Sequence, residues 1–423
     1  MAKWANWSGR QTAEPARAAQ PGSEADFVSA IRMAETSGWT IRAVGASHSH
    51  SRIAAPDGLL IETDGWQGLI EDESAKKGSD ESSSSAASDQ STVTVRSGTR
   101  IFQLGEPLYR RGLGLINQGD IDKQSIAGAI STGTHGTGPT LGNISTAVAG
   151  VKVVLAGGEV VHCDLDNEPE LFELARHSLG GVGLITEVDL KVRPRYMLHE
   201  RQWVAGFDEV MPRIDQLTAD TRHFEYFWVP NRDLFACKSL AEIPASADAA
   251  QSNNGGADGA EGTESPDPED IDKGERQGWS HKIISSIRDD KHTEMEYSVP
   301  AERGPDCFAE LRDMINTRFP DLEWPLEYRT VAADDLMISA ASGRPTVTIS
   351  AHQDITLDDR PLFTACEEVF RRHEGRPHWG KVHYQTGAEL AQLYPQYQRW
   401  WELRDRYDPA GLFVTTDLER LRP

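Results

Sequence analysis

The chain has 423 residues, 38% of them hydrophobic and 8% aromatic, more than one core ordinarily holds, so two domains are expected. Its formal net charge of -23 argues against nucleic acid and anionic membrane surfaces as partners, because both repel an acidic protein. Ten acidic and two basic side chains fall within residues 242–276, about a third of that charge, so the acidity marks one segment and says little about a site.

No run approaches the roughly 18 to 20 apolar residues of a membrane span, and the opening MAKWANWSGRQ lacks the apolar core of a signal peptide. A cytoplasmic protein is expected. Cys163, Cys237, Cys307 and Cys366 are far apart and form no CxxC pair, which points to ordinary reduced thiols.

In chain order, Ser23 is placed to cap a helix with Phe27, Ile31 and Ala34 on one face, and Trp39, Ile41 and Ala43 then alternate as a strand ending at Gly45. Strands are expected at 59–63 and 92–96, a helix at 101–109, a break at Gly112 and Gly114, and strands at 148–155 and 183–192. A mixed α/β domain therefore ends near Arg195. Beyond it, strands at 224–229, 294–299 and 345–352 mix with helices at 307–316 and 361–373, an α+β pattern. Residues 75–91 and 244–277 lack the apolar side chains that offset ordering entropy and are expected to be disordered insertions.

Residues 117–138, NQGDIDKQSIAGAISTGTHGTG, run on with small and hydroxylated side chains. Backbone N–H groups in such a loop converge on an anion, and a nucleotide diphosphate is the natural guest. A tight Gly-rich turn without a ligand accounts for the spacing equally well. No Gly-Lys-Ser/Thr follows and no GxGxxG opens a helix after the first strand, so neither a Walker loop nor a Rossmann turn is indicated.

Residues 44–51, VGASHSHS, lie where a strand leaves into a loop. The small neighbours of His48 leave room for a planar ligand, although an isolated histidine is more commonly structural. His48 and His50 also offer two metal ligands, without the Cys or carboxylate spacing of a metal site. Glu327 and Arg329, one residue apart in an expected strand, share a face, either in a site or as a solvent-facing salt bridge. HQD at 352–354 and RPHWGKVH at 376–383 place imidazoles and Lys381 beside Trp379, in a site or in a loop around a packed aromatic.

Taken together, these segments resemble the FAD-linked oxidases of the vanillyl-alcohol-oxidase type, in particular the sugar-lactone branch of gulonolactone and D-arabinono-1,4-lactone oxidases, related to bacterial alditol oxidases. The similarity runs from Asn6-Trp7-Ser8-Gly9 to Asp408, Pro409 and Phe413, omitting the two insertions. The resemblance implies a two-subdomain FAD-binding module (PCMH-type) at 1–195, an α+β cap at 196–375 that receives substrate, and a C-terminal segment, 376–423, returning to the flavin.

VGASHSHS is similar to the flavin-attachment motif of that family, which implies a bond from His48 to the 8α-methyl carbon of the isoalloxazine, with Gly45, Ala46, Ser47 and Ser49 around it. STGTHGTG at 131–138 resembles the pyrophosphate-cradling loop and SLGGVGLIT at 178–186 the segment lining the nucleotide. Ser125, Gly128, Thr132, Gly133, Thr134, His135, Gly136 and Ile185 are thereby implied FAD contacts.

LEYRTVAADD resembles the Glu-x-Arg segment of the family, and HWGK its C-terminal active-site lysine motif. The implied catalytic set is Glu327, Arg329, His352, Lys381 and Asp120. Lys381 would stabilise charge developing at flavin N1 and C2=O. Arg329 would share that task or hold a substrate oxygen in its fork, Glu327 would orient Arg329 and contact a substrate hydroxyl, and His352 would be the base. Asp120, where alditol-oxidising relatives carry a small hydroxyl residue, is similar to the lactone branch. Gly119 matches a position at the reactive edge of the flavin where a small residue leaves room for molecular oxygen, which implies an oxidase releasing hydrogen peroxide. The C-terminal VTTDLERL departs from the family, whose members more often show Asn after the Phe.

The expected activity is FAD-dependent oxidation of a small sugar-derived substrate, an aldono-1,4-lactone of the D-arabinono or L-gulono type, with alditol oxidation as the second expectation. A flavin-binding protein without turnover, and a metal-dependent hydrolase using His48, His50 and His383, are the readings from other classes.

Overall fold

The computed structural model describes residues 2–70, 91–245, 274–286 and 290–423. Most of the two stretches expected to be disordered lies outside these residues. Where their ends are described, the expectation fails. Ser91 opens the strand Ser91–Arg96, and Arg276 and Gln277 lie in Arg276–Trp279, paired with Met197–Gly206. The ladder satisfies their backbone, and the Arg276 guanidinium is paired with Glu200 at 2.7 Å.

Near the N-terminus, Ser23 caps the helix Glu24–Ser37, and Gly38 ends it in the left-handed conformation at φ 65°. Its Phe27 and Ile31 pack on Ile41, Leu59 and Ile61 of a parallel sheet ordered Arg17–Ala19, Leu59–Glu62, Ile41–Val44. An antiparallel sheet follows, ordered Ser91–Arg96, Leu184–Pro194, Val148–Val154, Val160–Asp164, with Leu113–Leu115 also on Leu184–Pro194. The stretch expected to be one continuous loop, 117–138, contains the helix Ile126–Thr132. Ser125 caps it, Gly133 ends it at φ 75°, and Ile126, Ala129 and Ile130 are buried, which supplies the tertiary support so short a helix requires.

The second half is built on an eight-stranded antiparallel sheet in the order Arg276–Trp279, Met197–Gly206, Leu234–Ile243, His223–Val229, Leu326–Val331, Thr346–Asp354, His292–Pro300, Arg376–Pro377. Four of these strands, Met197–Gly206, Leu234–Ile243, Arg276–Trp279 and Arg376–Pro377, have no counterpart among those expected from the sequence pattern. Side chains alternate between faces. Tyr226, Tyr328, Ile349, Met295 and Tyr297 pack under the helices Gly304–Arg318 and Arg360–Arg372 through Phe308, Leu311, Phe363 and Phe370. The intervening positions, Glu225, Glu294, Glu296, Glu327, Arg329 and His352, take the opposite face, and there they form the wall of a cavity or support it.

The C-terminal helices Gly387–Leu393 and Tyr397–Tyr407 place Leu390, Tyr394, Tyr397 and Trp400 in the same core as Ile126, Val151 and Val188. The chain thus returns to its first half and brings residues 378–381 against the loop after Ile41–Val44. Among the described residues, no helix is long and apolar enough to cross a membrane.

Candidate active site

Between the charged face of the sheet and the loops of the first half lies a cavity of about 570 Å³, within the range of cofactor and ligand pockets. Its first wall is the 45–49 loop. Ser47 is held at φ 54°, a conformation that costs a non-glycine residue about 1 kcal/mol or more and persists only where surroundings enforce it. The N-terminal segment does so. The Trp4 indole donates to Ser47 Oγ (2.9 Å), Trp7 N donates to the Ser47 carbonyl (2.8 Å) and Asn6 Nδ2 to that of Ser49 (3.0 Å). From the other side His50 N donates to the Gly380 carbonyl (2.6 Å) and Ser51 Oγ to that of Trp379 (2.8 Å).

Clamped in this way, His48 stacks on Trp7, with ring centroids 5.2 Å apart and 22° between the planes. Burial, then the Lys381 and Arg100 cations, push its imidazole down to about 4. A neutral imidazole carries the lone pair that a bond to carbon requires. His50 instead stacks on His292, and His383 is not on the cavity wall, so the three histidines considered for a hydrolytic site do not converge.

A second wall comes from the helix Ile126–Thr132 and the turn after it. Gly45 packs so closely here that a Cβ on it would come within 2.0 Å of Ser125 Oγ, and Ser125 Oγ accepts from Gly128 N (3.2 Å). Gly45, Ala46, Ser47, His48, Ser49, Gly119, Ser125, Gly128, Thr132, Thr134, His135 and Ile185 all line the cavity. Gly133 and Gly136, expected as cofactor contacts, do not. A Cβ on Gly133 would meet the His177 ring at 2.7 Å, and one on Gly136 the Gln118 carbonyl at 2.2 Å, so both glycines serve the packing behind the loop. The first atom that a side chain at Gly119 would meet is the His135 carbonyl, at 3.0 Å. This small-residue cradle, together with a neutral His48 at its edge, fits FAD: a planar ring and a diphosphate need close backbone approach.

The third wall is the sheet face, where Glu327, Arg329 and His352 meet Asp120 from the loop after Leu113–Leu115 and Lys381 from the turn after Arg376–Pro377, so that all five expected catalytic residues line the cavity in two clusters. In the first, Arg329 places Nε 2.9 Å from Glu225 Oε2 and Nη2 2.5 Å from Glu327 Oε1, with Asp120 Oδ2 3.8 Å away. Lys238 Nζ lies 2.8 Å from Asp120 and 3.1 Å from Glu225. Glu327 is buried and the Arg329 side chain is 12% exposed, so the pair is not a solvent-facing bridge. Two carboxylates, Glu225 and Glu327, engage Nε and Nη2 of the Arg329 fork. Despite burial, these carboxylates hold the Arg329 guanidinium and the Lys238 ammonium above their ordinary ranges.

In the second cluster Lys381 is ion-paired with Glu294, so it enters the site with a counterion. Around Glu294 stand His50, His292 and His352, at 3.5, 3.7 and 3.7 Å. Alongside, His135 Nε2 is 3.0 Å from Glu296 Oε1, and Ser350 Oγ donates to Glu296 Oε2 at 2.9 Å. Burial works against ionisation of Glu294 and Glu296, yet Lys381 and His352 for the first, and His135 and His378 for the second, hold both carboxyls below their usual range.

Glu225, Lys238, His292, Glu294 and Glu296 are the cluster members that sequence reasoning missed. A signal existed. In HTEMEYSV His292, Glu294 and Glu296 recur at every second position, the mark of a strand whose second face is polar and occupied, whereas FEYFWV carries Glu225 alone.

A cofactor cradle closed by a sheet with a charged inner face, under a cap, defines an FAD-dependent oxidoreductase, and the comparisons with known proteins agree. An FAD binding domain matches residues 15–164 and the D-arabinono-1,4-lactone oxidase family matches 188–257 and 268–421. The chain belongs to this D-arabinono-1,4-lactone oxidase family. It is 34% identical to the L-gulono-1,4-lactone dehydrogenase of Mycobacterium tuberculosis over 99% of this chain and 98% of that protein, and 25% identical to the L-gulonolactone oxidase of Mus musculus over 98% and 97%. A solvent-stable cholesterol oxidase shares the fold, with a TM-score of 0.80, 16% identity and coverage of 99% and 97%.

Proposed function

We propose that the enzyme oxidises the hydroxyl next to the carbonyl of an aldono-1,4-lactone, of the L-gulono or D-arabinono type, using FAD attached through His48. The observation that carries this is one cavity in which His48 faces a wall bearing His352, Lys381 with Glu294, and Arg329 with Glu327 and Asp120. FAD supplies the hydride acceptor. The chain supplies the rest. His352 Nδ1 donates to the Pro325 carbonyl at 2.7 Å, which leaves Nε2 unprotonated and on the cavity side to take the hydroxyl proton. Lys381 and Arg329 are cations of this wall, and they would stabilise the negative charge that hydride transfer brings to the flavin. Glu327 and Asp120 hold the Arg329 plane and offer acceptors to sugar hydroxyls.

In this reading residues 1–195 hold the cofactor, 196–375 cap it, and 376–423 close the site with Lys381. The absence of a long apolar helix among the described residues and four buried free cysteines support a cytoplasmic residence. Molecular oxygen is the acceptor, because Gly119 keeps the wall beside the reacting edge small. The test is anaerobic mixing with L-gulono-1,4-lactone, D-arabinono-1,4-lactone and xylitol, followed by admission of oxygen. Lactones should bleach the flavin and oxygen should restore it with hydrogen peroxide. Bleaching by xylitol alone would move the assignment to alditols, and reoxidation by cytochrome c but not oxygen would make the enzyme a dehydrogenase.

A further inference from the structure

Glu294 belongs to none of the recognised motifs, yet its carboxylate is where the polar wall converges. Its side chain is 7% exposed. Lys381 reaches it from the turn after Arg376–Pro377, His50 from the cofactor loop, His292 from its own strand and His352 from the neighbouring strand. Glu327, on the strand beyond, has a carboxylate oxygen within 4.8 Å of Glu294 and His352.

The geometry of the His352 contact is specific. Because Nδ1 carries the proton donated to Pro325, Nε2 presents a lone pair to Glu294 Oε1 at 3.7 Å. Two acceptors facing each other make no hydrogen bond while the enzyme rests. Once Nε2 gains a proton the same pair becomes an ion pair, so the contact is favourable only after proton transfer.

We propose that Glu294 is the positioning residue of this reaction: it fixes the Lys381 ammonium and balances the charge that His352 gains on taking the substrate hydroxyl proton. The inference rests on the lactone-oxidising reading above. In the step, the O–H bond breaks with its proton going to His352 Nε2 and its electron pair forming the new C=O bond. The C–H bond breaks with its pair leaving as hydride, so two electrons pass to FAD and then to molecular oxygen. Glu294 touches no reacting atom. It acts through His352 and Lys381.

The neighbours of His352 act on it in opposite senses. Burial pushes its imidazole down to about 4, Glu294 and the bond to the Pro325 carbonyl work against that shift, and His292 and Lys381 add to it. Removing Glu294 therefore moves the acid limb of flavin reduction to lower pH, and removing Lys381 moves it to higher pH. The experiment is anaerobic flavin reduction by L-gulono-1,4-lactone across the acid range, with holoenzyme of the wild type, Glu294→Gln and Lys381→Met. Glu294→Gln should keep its flavin and reduce it about tenfold to a hundredfold more slowly at neutral pH, with the limb displaced downward, while Lys381→Met displaces it upward.

Equal slowing at every pH, with both limbs where the wild type has them, would mean a merely structural role and overturn the inference. Should Glu294→Gln fail to hold flavin, the direction of the Lys381→Met limb decides, and no displacement overturns it. A wild-type flavin that no aldonolactone bleaches overturns the functional reading itself, and a wild type that bleaches beside two unshifted variants overturns this inference alone.

Discussion

Glu294 and His352 are Cα partners on adjacent antiparallel strands, and the His352 Nε2 stands 3.7 Å from the Glu294 Oε1. Directly opposite residues of such a ladder hold their Cβ atoms at about 5 Å, so the backbone register itself sets an imidazole beside a carboxylate.

A pH dependence follows for the wild type. His352 sits at about 4 in the folded protein, against an ordinary histidine value of about 6.5. Its base form is therefore present at neutral pH and is lost as pH falls through about 4, so the rate of flavin reduction should stay level from neutrality down to about pH 5. A limb at the ordinary histidine value would remove His352 from the role of base. Replacing it by Asn should slow reduction by about two orders of magnitude or more, read by stopped-flow absorbance.

His48→Ala should abolish acid-stable colour. After acid precipitation the wild type keeps its yellow in the pellet, while the variant releases FAD to the supernatant and reduces it on the order of tenfold more slowly, a barrier change of about 1.4 kcal/mol. Wild-type colour in the supernatant would show that no bond to His48 exists.

Lys238→Met should destabilise the holoenzyme by about 3 to 5 kcal/mol, because it removes a cation from the buried Asp120 and Glu225 and leaves them to share Arg329 with Glu327. The lysine side chain is 9% exposed and bonded at 2.8 Å to Asp120, so the loss appears in thermal unfolding by calorimetry. An unchanged midpoint would mean that Arg329 alone balances the cluster.

Gly45→Ala should express folded protein with little or no flavin. The added methyl falls 2.0 Å from Ser125 Oγ, so the 45–49 loop must lift away from the helix Ile126–Thr132 and with it His48. The flavin-to-protein absorbance ratio checks this, and a full complement of flavin would show that the loop absorbs the shift.

Acid should weaken the fold before it stops the chemistry. Burial pushes His177 to about 3, and His378 and His383 to about 4, whereas in the unfolded chain these rings bind protons from about 6.5 downward. In that window the unfolded state holds more protons than the folded one, so stability falls as pH drops from about 6.5 towards 4. Unfolding midpoints at pH 7.5 and pH 5 measure the effect, with His177→Phe expected to flatten the slope.

Much of the cofactor side was legible in the sequence because its signals are local. Ser23 with Phe27, Ile31 and Ala34 marks a helix, VGASHSHS needs small residues around one histidine, and the resemblance of the Gly-rich stretch singled out Ser125, Gly128 and Thr134, which line the cavity. Gly133 and Gly136 stand off the cavity wall, and a glycine demanded by a positive φ or by a neighbouring carbonyl looks, in sequence, like one demanded by a ligand.

The substrate side was legible residue by residue but not as an arrangement. Glu327, Arg329, His352 and Lys381 could be named, whereas their partners Glu225, Lys238 and Glu294 could not, since strand pairing joins Glu225 to Lys238 and Glu294 to His352 across 13 and 58 residues. The sequence by itself determined which residue types alternate on each strand, where the cofactor loop bends and which family the chain resembles. Only the tertiary structure decided which charges meet, because register across an eight-stranded sheet is fixed by the packing of its apolar face, and that packing carries the polar face along with it.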